Sequence, residues 1–201
     1  MTNGEPTKSG DVQVWDIAVR LFHWLLVGFI VVCLTTEDDV LALHVFAGYT
    51  AGLLIVLRIV WAGLGPSTAR FRWAWFSPRA VGGYLRDVVA FRAKRYLDHS
   101  PAGGAMFIAF LVVIGIAVVT GVASYAAEEH AGPLAAYLGN VGPGTRGLLG
   151  TIHESAANLL WILIAVHVAA VALTSLVHRE NLVLAMVTGK KRSYDRVHAT
   201  D

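Results

Sequence analysis

Residues 152–177 read IHESAANLLWILIAVHVAAVALTSLV, a stretch with a single charge, Glu154, and two histidines, His153 and His167. A helix needs about 20 predominantly apolar residues to cross the hydrocarbon core of a bilayer, so this stretch is long enough to span one. Its two histidines are fourteen residues apart. That is nearly four helical turns, which places both on roughly one face and about 21 Å apart along the axis. One span therefore offers imidazoles to its neighbours at two depths, and their partners must be sought at the same two depths elsewhere in the chain.

Three further stretches have the same character: residues 17–35, 43–64 and 104–127. Inside lipid a backbone must satisfy its own polar groups, so each is expected to be helical. Alternating segments of about ten residues, the mark of a membrane barrel, are absent. The composition agrees. The chain is 56% hydrophobic and 15% charged with a mean hydropathy of +0.59, where soluble domains carry about 25% charged residues. The expected fold is an all-α integral membrane protein, a four-helix transmembrane bundle. Residues 1–16 form a terminal segment, 17–177 the four-span domain and 178–201 a basic tail. The single cysteine, Cys33, allows no disulfide framework, and there is no C-x-x-C-H for covalent haem attachment. The polar first sixteen residues lack the form of a cleavable signal, so the first span is expected to act as an uncleaved anchor.

The segments between spans differ sharply in charge. Glu37, Asp38 and Asp39 follow the first span, and Glu128 and Glu129 follow the third with only Arg146 for a cation. Of the sixteen Lys and Arg residues, fifteen lie on the other side, including Lys8, Arg70, Arg72, Arg79, Arg86, Arg92, Lys94, Arg95, Arg179, Lys190, Lys191, Arg192 and Arg196. The positive-inside rule then puts both termini and the second loop in the cytoplasm of a bacterium, with the chain in its inner membrane. This bias accounts for the basic residues, so no nucleic acid is expected as a partner. Residues 73–96 mix aromatic, aliphatic and basic side chains. They suit an amphipathic helix on the cytoplasmic surface, with a solvated basic loop as the simpler alternative.

Two more histidines fall within spans. His23 lies in the inner half of span one, and His44 opens span two on the outer side. From His23 to the outer end of its span at Glu37 is again fourteen residues, about 21 Å. The matched depths pair His44 with His153 near the outer surface and His23 with His167 near the inner one. A lone span histidine is often only a hydrogen bonder between helices, but two pairs at two heights suit two haems, each held by one imidazole from either side. Bis-histidine ligation leaves no open position on the iron and favours electron transfer. Gly48 and Gly52 share a face with His44 and could let a porphyrin approach the backbone or serve helix–helix contact. Arg58, fourteen residues beyond His44, reaches the height of the inner pair, where a haem propionate or snorkelling to the interface would satisfy it. Arg20, one turn before His23, has the same two options. Glu154 could accept a hydrogen bond from its neighbour His153 or simply face the interface, and His99, His130, His178 and His198 are weaker candidates.

The ordered set Trp15-Asp16, Arg20-Leu21-Phe22-His23-Trp24, His44-x-x-x-Gly48-Tyr49, His153-Glu154, His167 and His178-Arg179-Glu180-Asn181-Leu182 resembles the bacterial cytochrome b561 family. That family includes the b-type cytochrome subunits of nickel–iron hydrogenases. The resemblance implies a four-helix bundle with two b haems, and ligand roles for His23, His44, His153 and His167. It also implies electron exchange with a quinone or quinol, usually near the cytoplasmic haem, and with a periplasmic redox protein. Outer loops of about seven and 25 residues suit a small c-type cytochrome better than a large hydrogenase. A homodimer and a subunit of a larger complex are both compatible with the sequence. Two other functions compete: a free-standing oxidoreductase of a small substrate such as superoxide or ferric iron, and a metal-ion or proton transporter. The transporter is disfavoured because the spans offer no mid-membrane carboxylate and no thiolate beyond Cys33.

Overall fold

The computed structural model describes residues 11–36, 40–64, 77–94, 96 and 100–192. The acidic turn of Glu37, Asp38 and Asp39 lies outside the described residues, as do Lys8, Arg70, Arg72, Arg95, Arg196, His99, His198 and the first part of the 73–96 stretch. In chain order the elements are β1 (Asp11–Gln13), α1 (Ile17–Thr36), α2 (Leu41–Leu64), α3 (Pro78–Val89), α4 (Pro101–Glu128), α5 (Ala135–Leu138), α6 (Pro143–His178), α7 (Leu182–Thr188) and β2 (Lys190–Arg192). Four of these, α1, α2, α4 and α6, are long and apolar enough to cross a membrane.

The helix starts follow capping chemistry. Ser77 accepts from the Ala80 amide at 3.2 Å with Pro78 behind it, and Ser100 accepts from the Gly103 amide at 3.1 Å with Pro101 behind it. A proline in the first turn has its φ pre-set and gives up only an amide that would lack a helical partner. Helix α6 ends where Arg179 turns left-handed (φ 51°), Asn181 then caps α7 through the Leu184 amide at 2.8 Å, and Gly189 (φ 80°) stops α7. The sequence His178-Arg179-Glu180-Asn181-Leu182 is thus a helix stop followed directly by a helix start.

The fourth span begins earlier than its apolar stretch suggests. It was expected over 152–177, yet α6 runs from Pro143, adding more than two turns at its N-terminal end. The four glycines of residues 142–150 read as loop, but Pro143 pre-sets the first turn and the apolar run beyond propagates it. At 36 residues the helix is about 54 Å long, well beyond the ~30 Å of hydrocarbon. The 25-residue loop expected before it shrinks accordingly to the α5 segment and its flanks.

Packing is organised as two hairpins. Helix α1 runs along α2, α4 runs along α6, and the hairpins join where α2 meets α4. The core is made of small and medium side chains from all four long helices: Ile30, Ala51, Ile55, Val113, Ile114, Ala156 and Leu160. Large apolar side chains such as Leu53, Val119 and Ile162 are more than half exposed, an apolar coat suited to lipid. Since lipid is as apolar as these residues, close packing holds the helices together rather than burial from water.

The segments flanking the spans pair with each other. Strand β1 runs antiparallel to β2, with Asp11 opposite Arg192 and Gln13 opposite Lys190. The Val14 and Trp15 amides donate to the Gly189 carbonyl at 2.8 and 3.1 Å. Helix α3, from the connection between α2 and α4, packs against α4 and buries Tyr84 and Val88 while leaving Arg79, Arg86, Leu85 and Val89 exposed.

Candidate functional site

Two of the histidines expected to pair, His44 and His153, stand edge-on to each other at the end of the bundle away from the β1–β2 ribbon. The ring centres of His44 and His153 are 6.0 Å apart, with planes at 77°. His44 sits in the first turn of α2, and its Nδ1 lies 3.0 Å from the Cys33 carbonyl. Cys33 belongs to the last turn of α1, whose carbonyls have no partner within the helix. The first turn of α2 lies beside the last turn of α1, which brings that carbonyl to the ring. On the other side, His153 Nδ1 lies 2.9 Å from the Ala117 carbonyl of α4. A carbonyl can only accept, so Nδ1 of each ring carries the hydrogen and Nε2 of each neutral imidazole keeps its lone pair. This is the arrangement of a metal-binding histidine oriented through its other nitrogen. Metal–imidazole bonds of about 2 Å put two imidazoles on opposite sides of one metal with ring centres about 6 Å apart, the separation found.

The other two, His23 and His167, lie towards the end that carries the β1–β2 ribbon. His23 is on α1 and His167 on α6. Nδ1 of His23 is buried without a hydrogen-bond partner, a costly state unless something else satisfies it. Trp24 stands edge-on to His23 at 5.1 Å, and Phe110 of α4 stands edge-on to His167 at 5.6 Å. All four histidines are half-buried. Among the described residues, no three of His, Cys, Asp and Glu converge as a metal-ion cage. Of the four, His44 and His153 are the two whose rings lie within contact range of each other.

The other sequence candidates have distinct surroundings. A Cβ on Gly48 would meet nothing within 4 Å, so the backbone beside His44 is open. A Cβ on Gly52 would stand 2.8 Å from Val118 Cγ1, so Gly52 serves the contact of α2 with α4. Arg58 lies over the Phe107 ring at 5.5 Å. Arg20 donates through Nη1 to the Val187 carbonyl, and Trp24 Nε1 donates to the Met186 carbonyl at 3.4 Å. Both carbonyls are in the last turn of α7, where a cation also meets the negative end of the helix dipole. Glu154 is exposed, and the acceptor for His153 is the Ala117 carbonyl instead.

Sequence reasoning missed Cys33, Ala117, Thr120 and Gly121 around the His44/His153 pair. Two of these act through backbone carbonyls, which carry no residue signature. Gly121 left a faint signal, a glycine in the third span near the height of His153.

The chain matches the family model described as prokaryotic cytochrome b561 over residues 14–189. It is 22% identical to a probable Ni/Fe-hydrogenase B-type cytochrome subunit of Rhizobium leguminosarum bv. viciae, with 92% of this chain and 90% of that protein covered. It is 24% identical to the protein of the same name in Bradyrhizobium diazoefficiens, covering 96% and 89%. For the one in Azotobacter chroococcum the identity is 29%, covering 90% and 89%. No solved structure matches the chain significantly.

Proposed function

This chain belongs to the prokaryotic cytochrome b561 family, and from that premise we propose that it is a dihaem b-type cytochrome carrying electrons between membrane quinone and a periplasmic redox protein. The family assignment and the four apolar helices make it a membrane protein of electron transfer.

The observation that carries it is the His44/His153 pair, with both Nδ1 atoms on carbonyls and the rings at a separation that fits one intervening metal. His23 and His167 form the second site. A haem bound there would supply a one-electron iron couple, and His44, His153, His23 and His167 are the residues that would hold the two haems. The protein's part is to fix the rings and keep water away. The shared core of Ile30, Ala51, Ile55, Val113, Ile114, Ala156 and Leu160 lies between the two levels.

The charge bias places both termini in the cytoplasm of an inner-membrane protein. His44 and His153 then serve the outer haem and His23 and His167 the inner one, with quinone exchanging electrons near the inner haem. Helix α3, with Arg79 and Arg86 exposed beside Leu85 and Val89, lies along the inner surface. Within this scheme the names of the relatives favour a hydrogenase as the periplasmic partner, whereas the short outer loops favour a small c-type cytochrome.

The test is reduction by quinol of the purified protein in liposomes, followed at the reduced b band. His44→Ala should leave one haem that quinol still reduces, and His23→Ala should leave one that it reduces far more slowly. Equal rates in both variants would contradict the inner quinone site.

A further inference from the structure

Helix α4 contributes no histidine, yet His153 is held against it. The Ala117 carbonyl accepts from Nδ1 at 2.9 Å. Thr120 Oγ1 stands 3.4 Å from the same nitrogen while donating to the Ile116 carbonyl at 2.7 Å. Gly121 completes the seat. A Cβ there would lie 2.8 Å from Cε1, 3.2 Å from Nδ1 and 3.6 Å from Nε2 of His153, and these are its three nearest atoms. The ring therefore rests on bare backbone. It has little freedom to yield, because its Nδ1 is tied to Ala117 on one side and the ring faces His44 on the other.

We propose that Gly121 is a positioning residue for the outer haem. The side chain it lacks is the notch that lets His153 keep both its Ala117 hydrogen bond and its separation from His44. The inference rests on the dihaem assignment above. A glycine within a helix is otherwise unfavourable by about 1 kcal/mol relative to alanine. General small-residue packing between helices is the usual reason to keep one, but here the atoms a methyl group would strike are those of the imidazole. Gly115, on the same helix, has nothing within 4 Å of its Cβ position and is the natural control.

The experiment uses the full chain and four variants: Gly121→Ala, Gly115→Ala, His153→Ala and His153→Ala with Gly121→Ala. Haem per chain and midpoint potentials are read by redox titration of the reduced b band. Gly121→Ala should hold the outer haem about 10–100-fold more weakly, the usual effect of losing a group that orients a metal ligand. The inner haem should keep its potential and low-spin spectrum, and Gly115→Ala should match the parent. In the His153→Ala background Gly121→Ala should add nothing, since the ring it would strike is gone. Three results would overturn the proposal: a Gly121→Ala protein indistinguishable from the parent, loss of both haems from it, or loss of the inner haem when it is added to His153→Ala. A parent chain with no haem at His44 and His153 would instead overturn the assignment beneath it, and this is visible before any glycine is changed.

Discussion

Gly52→Ala should weaken the bundle and disturb the outer histidine pair together. The added methyl group would stand 2.8 Å from Val118 Cγ1, while ordinary contact begins at 3.4 Å. The missing 0.6 Å can come only from rotating Val118 or from parting α2 and α4. A helical valine has one strongly preferred rotamer, and forcing extra volume into a packed contact costs about 1–3 kcal/mol. Alanine's better helix propensity returns about 1 kcal/mol, so the net loss is up to about 2 kcal/mol, or up to about 30-fold in the folding equilibrium. Parting the helices would also reach the site. His44 lies two turns from Gly52 on α2, while His153 is tied to α4 through Ala117, so a wider α2–α4 contact lengthens the 6.0 Å between the rings. The assay is thermal unfolding in detergent, followed by circular dichroism and by the haem band. Val118→Ala in the same chain removes the struck atoms and should restore most of the loss. A Gly52→Ala protein more stable than the parent, or a loss that Val118→Ala does not relieve, would refute the reasoning.

Replacing His44 or His153 with alanine should remove one haem and leave the other, and His23→Ala or His167→Ala should remove the other one. Haem counts that group the four histidines differently would break the pairing. Arg20→Ala and Trp24→Phe each delete a side-chain hydrogen bond to the last turn of α7, about 1 kcal/mol apiece. Trypsin should then cut at Lys190 and Lys191 about fivefold faster; unchanged cleavage would mean that the ribbon alone holds the segment. Reporter fusions that require export should be active when joined within the α5 segment and inactive when joined after β2. The reverse pattern would invert the orientation.

The four spans were legible because lipid imposes one crude requirement, an unbroken apolar run, and the runs are unmistakable. The nearness of His44 to His153 was legible because a helix has a fixed rise, so equal residue separations become equal depths. Helix α6 exceeded its apolar run because glycine-rich sequence normally signals a turn, whereas Pro143 and the following helix here carry the segment along. The β1–β2 ribbon could not be read, since three-residue strands from opposite ends of the chain leave no local pattern. Arg20 illustrates the same limit. Its position beside His23 suggested a propionate, but its partner, the Val187 carbonyl, is 167 residues away and becomes visible only when the chain folds back. The carbonyls of Cys33 and Ala117 were hidden for a different reason: every residue has one, and only geometry selects which is used.

The most direct measurement is haem content and ligation of the purified chain: a pyridine haemochrome assay for haem type and number, with electron paramagnetic resonance of the oxidised protein for ligand field. Two b haems per chain, both low-spin with the signature of two axial imidazoles, are the result expected of the paired histidines. A single haem would reduce one pair to a structural contact, and a chain that folds with adequate haem supply yet binds none would contradict the dihaem cytochrome outright.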